Sequence, residues 1–252
     1  MSKKCPANNS IVLYLDCLEC DDKICLHNHK IPRNVTERTT EVHKMNHTIV
    51  IGIDQSYKDT GISVWFDGKL KNATDCFTQN LENNTIKRKT LKAKLMNIAG
   101  KLYAKKLAYD AINEHCDIVC IIERIRLQSQ GFINIDYIKS IGALNAMIVD
   151  TMDKYNIKVY SVDTRAWKSA VVGTSKGKSN KYGFDEKKWP TILYCIKSGY
   201  KSKIKQSVSN RKKKAVIVKN DESYTYNDNI ADSICIGKFY FVGNKDLLKE
   251  EH

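Results

Sequence analysis

Two short apolar runs, each ending in an acid, constrain this chain more than any other feature: Thr48-Ile-Val-Ile-Gly-Ile-Asp54 and Asp117-Ile-Val-Cys-Ile-Ile-Glu123. Runs of this length, rich in β-branched residues, are strand-sized and read as buried on both faces. After the first, Gly61-Ile-Ser-Val-Trp-Phe66 alternates, Asp67-Gly68 marks a tight hairpin turn, and Lys69 to Thr78 returns as a third strand. Thr85 to His115 is Lys-rich and carries Leu91, Leu95, Ile98 and Leu102 at the spacing of an amphipathic helix. Beyond the second run, Ile133 to Tyr155 reads as a helix and Lys158-Val-Tyr-Ser-Val162 as a fifth strand. Asp163 then caps a helix opening Thr-Arg-Ala-Trp-Lys168. Asn227 to Val242 reads as a last helix, acidic at its start and apolar after. This order predicts an α/β fold with a mixed five-stranded sheet flanked by helices.

Charge narrows the partner. Lys and Arg number 42 against 28 Asp and Glu in 252 residues, a formal net charge of +14. An excess of that size points to a polyanion. Most of it lies between Lys168 and Lys219, where fifteen basic residues face only Asp185 and Glu186. Lys168, Lys176, Lys178, Lys181, Lys212 and Lys213 belong to this span, and Trp167, Tyr182, Phe184, Trp189, Tyr194 and Tyr200 interleave it. A solvated face is the bland account of such a run. Lysines for phosphates with rings for unpaired bases suit a branched or partly open DNA better. Arg124 and Arg126, directly after the Glu123 strand, are placed to reach the same substrate, though a plain surface loop accounts for them equally well.

Other classes fall away. No run approaches the roughly 18 apolar residues of a membrane span, and the opening Met-Ser-Lys-Lys-Cys-Pro has no apolar core of a secretory signal. A soluble protein of the cytoplasm is the expectation. Nine cysteines, an odd count, then read as thiols or metal ligands rather than a disulfide scaffold. They cluster at the start: Cys5, Cys17, Cys20 and Cys25 stand with His27 and His29, ahead of a polar linker from Ile31 to Asn46. Cys17-x-x-Cys20 with Cys25 and either His27 or His29 supplies the four soft or borderline ligands of a structural zinc, with Cys5 as an alternative. A strand from Ile11 to Leu15 followed by unmetallated cysteines is the competing account. The division is therefore residues 1–47 as a Cys/His-rich extension and linker, and residues 48–252 as the main domain with a basic insertion around 168–219.

Four acids carry the chemistry. Asp54 closes the first strand and Glu123 the fourth, and Asp228 and Asp232, four apart, share one helical face within about 40°; the acids meet if those two strands are neighbours and the helix packs across them. Each alone would pass for a cap or a solvated loop residue. Crowded at one end of a sheet, such carboxylates repel one another unless a hard divalent cation, Mg2+ or Mn2+, offsets them. Two such ions about 4 Å apart activate water and stabilise the leaving oxygen in phosphodiester cleavage.

Ile-Gly-Ile-Asp54 with Thr60-Gly61, Cys-Ile-Ile-Glu123, Asp163-Thr-Arg-Ala-Trp-Lys168-Ser-Ala-Val-Val-Gly173 and Ala-Asp232-Ser-Ile-Cys-Ile-Gly together resemble the RuvC-type Holliday junction resolvases of the RNase H-like superfamily. The resemblance runs from about Thr48 to Gly243; in size and in its extra N-terminal segment the chain looks more like phage-borne relatives than the compact bacterial enzyme. It implies a homodimer that resolves four-way DNA junctions, leaving 5′-phosphate and 3′-hydroxyl ends. It further implies Asp54 bridging two metals, Glu123 on one, Asp232 on the other, and Lys168 near a phosphate. Asn229 stands where the family tends to carry a fourth ligand, so either Asp228 turns inward or Asn229 serves as a neutral ligand. Gln55-Ser56 replaces a frequent Pro-Gly turn. Two other classes compete: a non-catalytic junction-binding protein, kept open by Asn229, and an actin-like phosphotransferase or ATPase. The latter needs a second Gly-rich phosphate loop, and none follows Val162.

Overall fold

The computed structural model describes residues 2–4, 11–13, 46–124, 135–173, 188–207 and 224–251, in two units, Met1–Lys44 and Met45–His252. In the first unit, strand β1 (Ser2–Lys4) pairs antiparallel with β2 (Ile11–Leu13).

In the second unit the chain runs through β3 (Asn46–Asp54), β4 (Asp59–Phe66), β5 (Lys69–Phe77), helix α1 (Asn84–Asp110), β6 (His115–Glu123), α2 (Ile135–Asp153) and β7 (Lys158–Val162). It continues through α3 (Thr164–Trp167), a π-helical turn Lys168–Val172, α4 (Trp189–Lys197), α5 (Lys201–Ile204), a small ladder of β8 (Lys205–Ser207) with β9 (Tyr224–Tyr226), α6 (Asp228–Val242) and β10 (Lys249–Glu251). The sheet order is β10-β7-β6-β3-β4-β5. Strands β3, β6 and β7 are parallel; β4, β5 and β10 run against their neighbours. The sheet is mixed, as expected, but six-stranded rather than five: the charged tail Lys249–Glu251 pairs with β7 as an extra edge.

Side chains alternate across a strand, so each central strand feeds two cores. Ile49, Ile51 and Ile53 join Ile118, Cys120 and Ile122 beneath α1 and α2, with Leu91, Leu95, Leu144 and Ile148. Val50, Trp65, Val119 and Ile121 face the other way, onto Ile230, Ala231, Ile234 and Cys235 of α6. The hairpin turn closes as expected, with positive φ at both Asp67 and Gly68. Among the described residues no helix is long and apolar enough to cross a membrane.

Helix α1 stops five residues short of the expected His115. The chain turns through Asn113, which adopts the left-handed φ of 59°, and His115 opens β6. At this end of the sheet His47 is gripped between two acids, its Nδ1 2.8 Å from Asp67 and its Nε2 3.2 Å from Glu114. Its ring packs on Phe66 and Tyr109. The hydrogen bond to Asp67, then that to Glu114, holds the imidazole above its ordinary pKa, against some desolvation. A raised histidine stabilises fully below its unfolded value of about 6.5 and loses that contribution as pH climbs through its folded value. The melting-temperature advantage of the native chain over His47→Gln should therefore be larger at pH 6 than at pH 9, and an advantage independent of pH would exclude the charged clamp.

Candidate carboxylate centre

The site follows from register. Ile53 pairs with Ile122 in parallel, so the next residues, Asp54 and Glu123, end adjacent strands side by side. Two-residue periodicity turns both toward the face that α6 covers, the face of Val50 and Ile121.

Helix α6 reaches that face because three glycines let backbone touch backbone. A Cβ on Gly52 would lie 2.4 Å from the Ser233 carbonyl oxygen, and one on Gly61 1.9 Å from that of Asn229. On the helix side Gly237 meets Gly52 backbone to backbone and also leaves room for the indole of Trp65. Since Gly61 is the cross-strand partner of Asp54, the first turns of α6 are seated directly over the acid that ends β3. Asp232 lies between these two contacts along the helix.

Asn227 sets the register of α6. Its Oδ1 accepts the Ile230 amide at 3.0 Å, capping the helix, while its Nδ2 donates to Asp59 at 3.2 Å and Asp75 at 2.8 Å. Asn227→Asp keeps the capping acceptor, loses both donors and sets a third negative charge against two. At about 1.5–3 kcal/mol per hydrogen bond to a charged group, urea denaturation should show one of the largest single-residue losses in the fold; a loss below about 1 kcal/mol would mean the cross-link is idle.

Asp54 lies within electrostatic reach of both Asp232 and Glu123. Burial, then the charges of Asp232 and Glu123, push Asp54 well above the usual carboxylate range, while Lys188 and Lys168 pull it back. Burial brings Asp232 to about 6, opposed by Lys168 and a hydrogen bond from Thr191 and reinforced by Glu123. Both carboxyls are only part-exposed at the surface, but protein surrounds them closely enough for desolvation to dominate. Asp232 Oδ1 is buried with no hydrogen-bond partner among the described residues. Glu123 is oriented by two donors, Thr164 Oγ1 at 2.6 Å and the indole Nε1 of buried Trp167 at 3.3 Å.

Asp228 behaves differently: its Oδ2 makes an ion pair with Lys188 Nζ. Asn229 meets Gly61 through its backbone carbonyl. Lys168 sits 5.1 Å from the Trp167 ring, close enough to act on Asp54 and Asp232. The Arg124 guanidinium turns inward, onto Ser161 and the Leu247 carbonyl at 3.3 Å. Arg126, Lys176, Lys178, Lys181, Lys212 and Lys213 lie outside the described residues, as do Cys17, Cys20, Cys25 and His27.

Sequence reasoning missed Gln55. Its Oε1 accepts the Glu123 amide at 3.1 Å and its Nε2 donates to the Glu123 carbonyl, so the side chain imitates one more strand residue between β3 and β6. Thr164, Trp167, Thr191 and Lys188 were also missed as partners of the acids.

Among the described residues no three Asp, Glu, His or Cys side chains are already arranged to hold a metal ion. The donor set nonetheless fits a hard divalent cation: all oxygens, mutually repelling, with one buried oxygen lacking a donor. Glu123 keeps acceptor capacity as well, because a carboxylate offers about four lone-pair sites and, among the described residues, two donors are seen to reach it.

The strand order is 3-2-1-4-5-6, with Asp54 and Glu123 at the ends of two adjacent parallel strands and Asp232 on the helix that covers them. Among solved structures the chain is similar, at low sequence identity, to Holliday junction resolvases. Thermus thermophilus RuvC matches with a TM-score of 0.46 and 14% identity, over 81% of this chain and 99% of that one. The same enzyme in complex with Holliday junction substrate matches with a TM-score of 0.48 and 12% identity, over 81% and 99%. The yeast mitochondrial resolvase Ydc2 gives 0.34 and 15%, over 75% of each chain. No protein-family model matches the chain, and no curated protein does.

Proposed function

We propose that this chain is a divalent-metal-dependent endodeoxyribonuclease that resolves four-way DNA junctions by phosphodiester hydrolysis, acting as a homodimer. The observation that carries the proposal is the meeting of Asp54, Glu123 and Asp232 from three separate elements, close enough for Asp54 to feel both other charges. Mg2+ or Mn2+ held by these acids would supply an activated water and offset charge on the leaving oxygen. Thr164 and Trp167 hold Glu123 in one orientation, and Gln55 holds the strand end beneath it. Lys168 and Lys188 line the same centre as fixed cations and draw in the anionic phosphodiester. Junction geometry, as distinct from duplex, rests on the motif resemblance and on the basic span with its aromatic residues.

The ion pair of Asp228 with Lys188 favours a second account, a junction-binding protein without cleavage. One experiment separates the two. A synthetic four-way junction, a flap, a linear duplex and an RNA–DNA hybrid are incubated with Mg2+ or Mn2+ and either the native chain or Asp54→Asn. Paired nicks in the junction that vanish with Asp54→Asn support the nuclease. Tight junction binding with no cut under either metal supports the binder.

A further inference from the structure

Helix α1 carries a charge that the carboxylate centre does not use. Its 27 residues hold eight Lys and Arg and one acid, Asp110, at the far end. Lys92 is engaged with Asp150 and Lys106 with Asp110 and the Cys116 carbonyl. Of the remainder, Arg88 and Lys89 lie on other flanks, but four lysines align. At about 100° per residue, positions 87, 94, 101 and 105 fall within about 40° of one another, a straight line of ammonium groups. That line lies on the flank facing the sheet edge: Lys94 Nζ bonds Thr74 Oγ1 at 3.1 Å, and Lys105 Nζ stands 3.9 Å over the Phe66 ring. Lys71 of edge strand β5 shares that ring at 5.7 Å, and Lys69 is exposed beside it.

The line has a direction. Lys94 reaches the Asp75 carbonyl, and Asp75 shares a cross-strand row with Gly61 and hence with Asp54. Lys105 stands over Phe66, which pairs with Ile49 near the other end of β3. From Lys87 to Lys105 is about 27 Å at 1.5 Å per residue, close to 8 base pairs of duplex at about 3.4 Å each.

We infer that Lys87, Lys94, Lys101 and Lys105, with Lys69 and Lys71, form a rail along which one double-stranded DNA arm lies as it leaves the carboxylate centre. Edge protection accounts for lysines on β5 but not for the row on the helix. A membrane-surface helix would need apolar anchors on the same outward face. The exposed Met96 and Leu107 sit at least about 120° round the helix from the lysines instead, and Ile86, about 60–100° away, is a single residue and makes no apolar face. Charge complementarity thus favours a duplex.

The inference rests on the proposed DNA activity, and arm length separates the two. Binding of the native chain and of Lys69→Glu/Lys71→Glu/Lys87→Glu/Lys101→Glu is measured on four-way junctions and linear duplexes with arms of 4, 10 and 20 base pairs, across a salt series. Native and variant should match on the shortest arms and diverge at least about tenfold on the longer ones. The salt slope of the variant should fall by about 0.9 for each phosphate it no longer neutralises. The corresponding Gln variant should fall between them, which separates weakened attraction from misfolding. Equal binding at every length, or a loss independent of arm length, overturns the rail. So does stripe-dependent binding to anionic vesicles with DNA binding unaffected. A native chain that cuts no junction but whose duplex binding shows this length dependence removes the resolvase proposal and leaves the rail standing.

Discussion

Replacing Gly61 with alanine is expected to cut junction cleavage by about 100-fold or more, the cost of misplacing a reacting group by about 1 Å, while most of the fold survives. A methyl there meets the Asn229 carbonyl oxygen at 1.9 Å, and that atom is helix backbone with no rotamer to yield. Helix α6 must therefore lift, and Asp232 lifts with it. Overpacking of this kind typically costs about 1–3 kcal/mol, which urea denaturation would register. Gly142, which lies within α2 with open space around it, provides the control: Gly142→Ala should leave cleavage near native and stability unchanged or raised by up to about 1 kcal/mol. Native-like cleavage by Gly61→Ala would show that the seating of α6 on β4 does not set the position of Asp232.

Asp54→Asn should do two opposite things. Cleavage should fall by at least about 100-fold, the upper end of what losing even an outer-shell metal partner costs. Metal-free stability should rise, because the amide no longer carries a desolvated charge beside Asp232 and Glu123. The sign follows from linkage. A carboxyl whose folded pKa is raised binds protons more readily when native, so its ionisation lowers stability as pH rises through the folded value. Asp54 lies well above the usual range and Asp232 near 6. The melting-temperature gain of Asp54→Asn should therefore be largest above neutral pH and shrink toward pH 4, where the native acids are protonated. A lower metal-free melting temperature at pH 8 would mean that Asp54 is a stabilising structural acid.

The acids could be singled out as candidates because each sits at a place with a local signature. Ile53 and Ile122 pair because both end apolar runs of matching length, and the residue after each is then forced to the strand end. Asp232 was legible from helical spacing. Features that depend on a distant partner were not. Gln55 is an ordinary loop residue until Glu123, 68 positions later, presents its backbone. The Lys188–Asp228 pair spans 40 positions, and nothing in the local pattern distinguishes Lys188 from the other lysines of its span. Lys249–Glu251 has no apolar alternation to announce a strand; it is defined wholly by the open edge of β7. The end of helix α1 was not legible either, because no glycine or proline marks it and Asn113 supplies the left-handed turn instead.

Calorimetric titration of the metal-free chain with Mn2+, beside Asp54→Asn and Asp232→Asn, tests most directly whether these acids form a cation-binding pocket. The native chain should take up the ion and gain melting temperature as it does so, and each variant should lose at least about tenfold in affinity together with most of that gain. Uptake by the variants equal to native, or no uptake by the native chain, would contradict a metal centre built on Asp54 and Asp232.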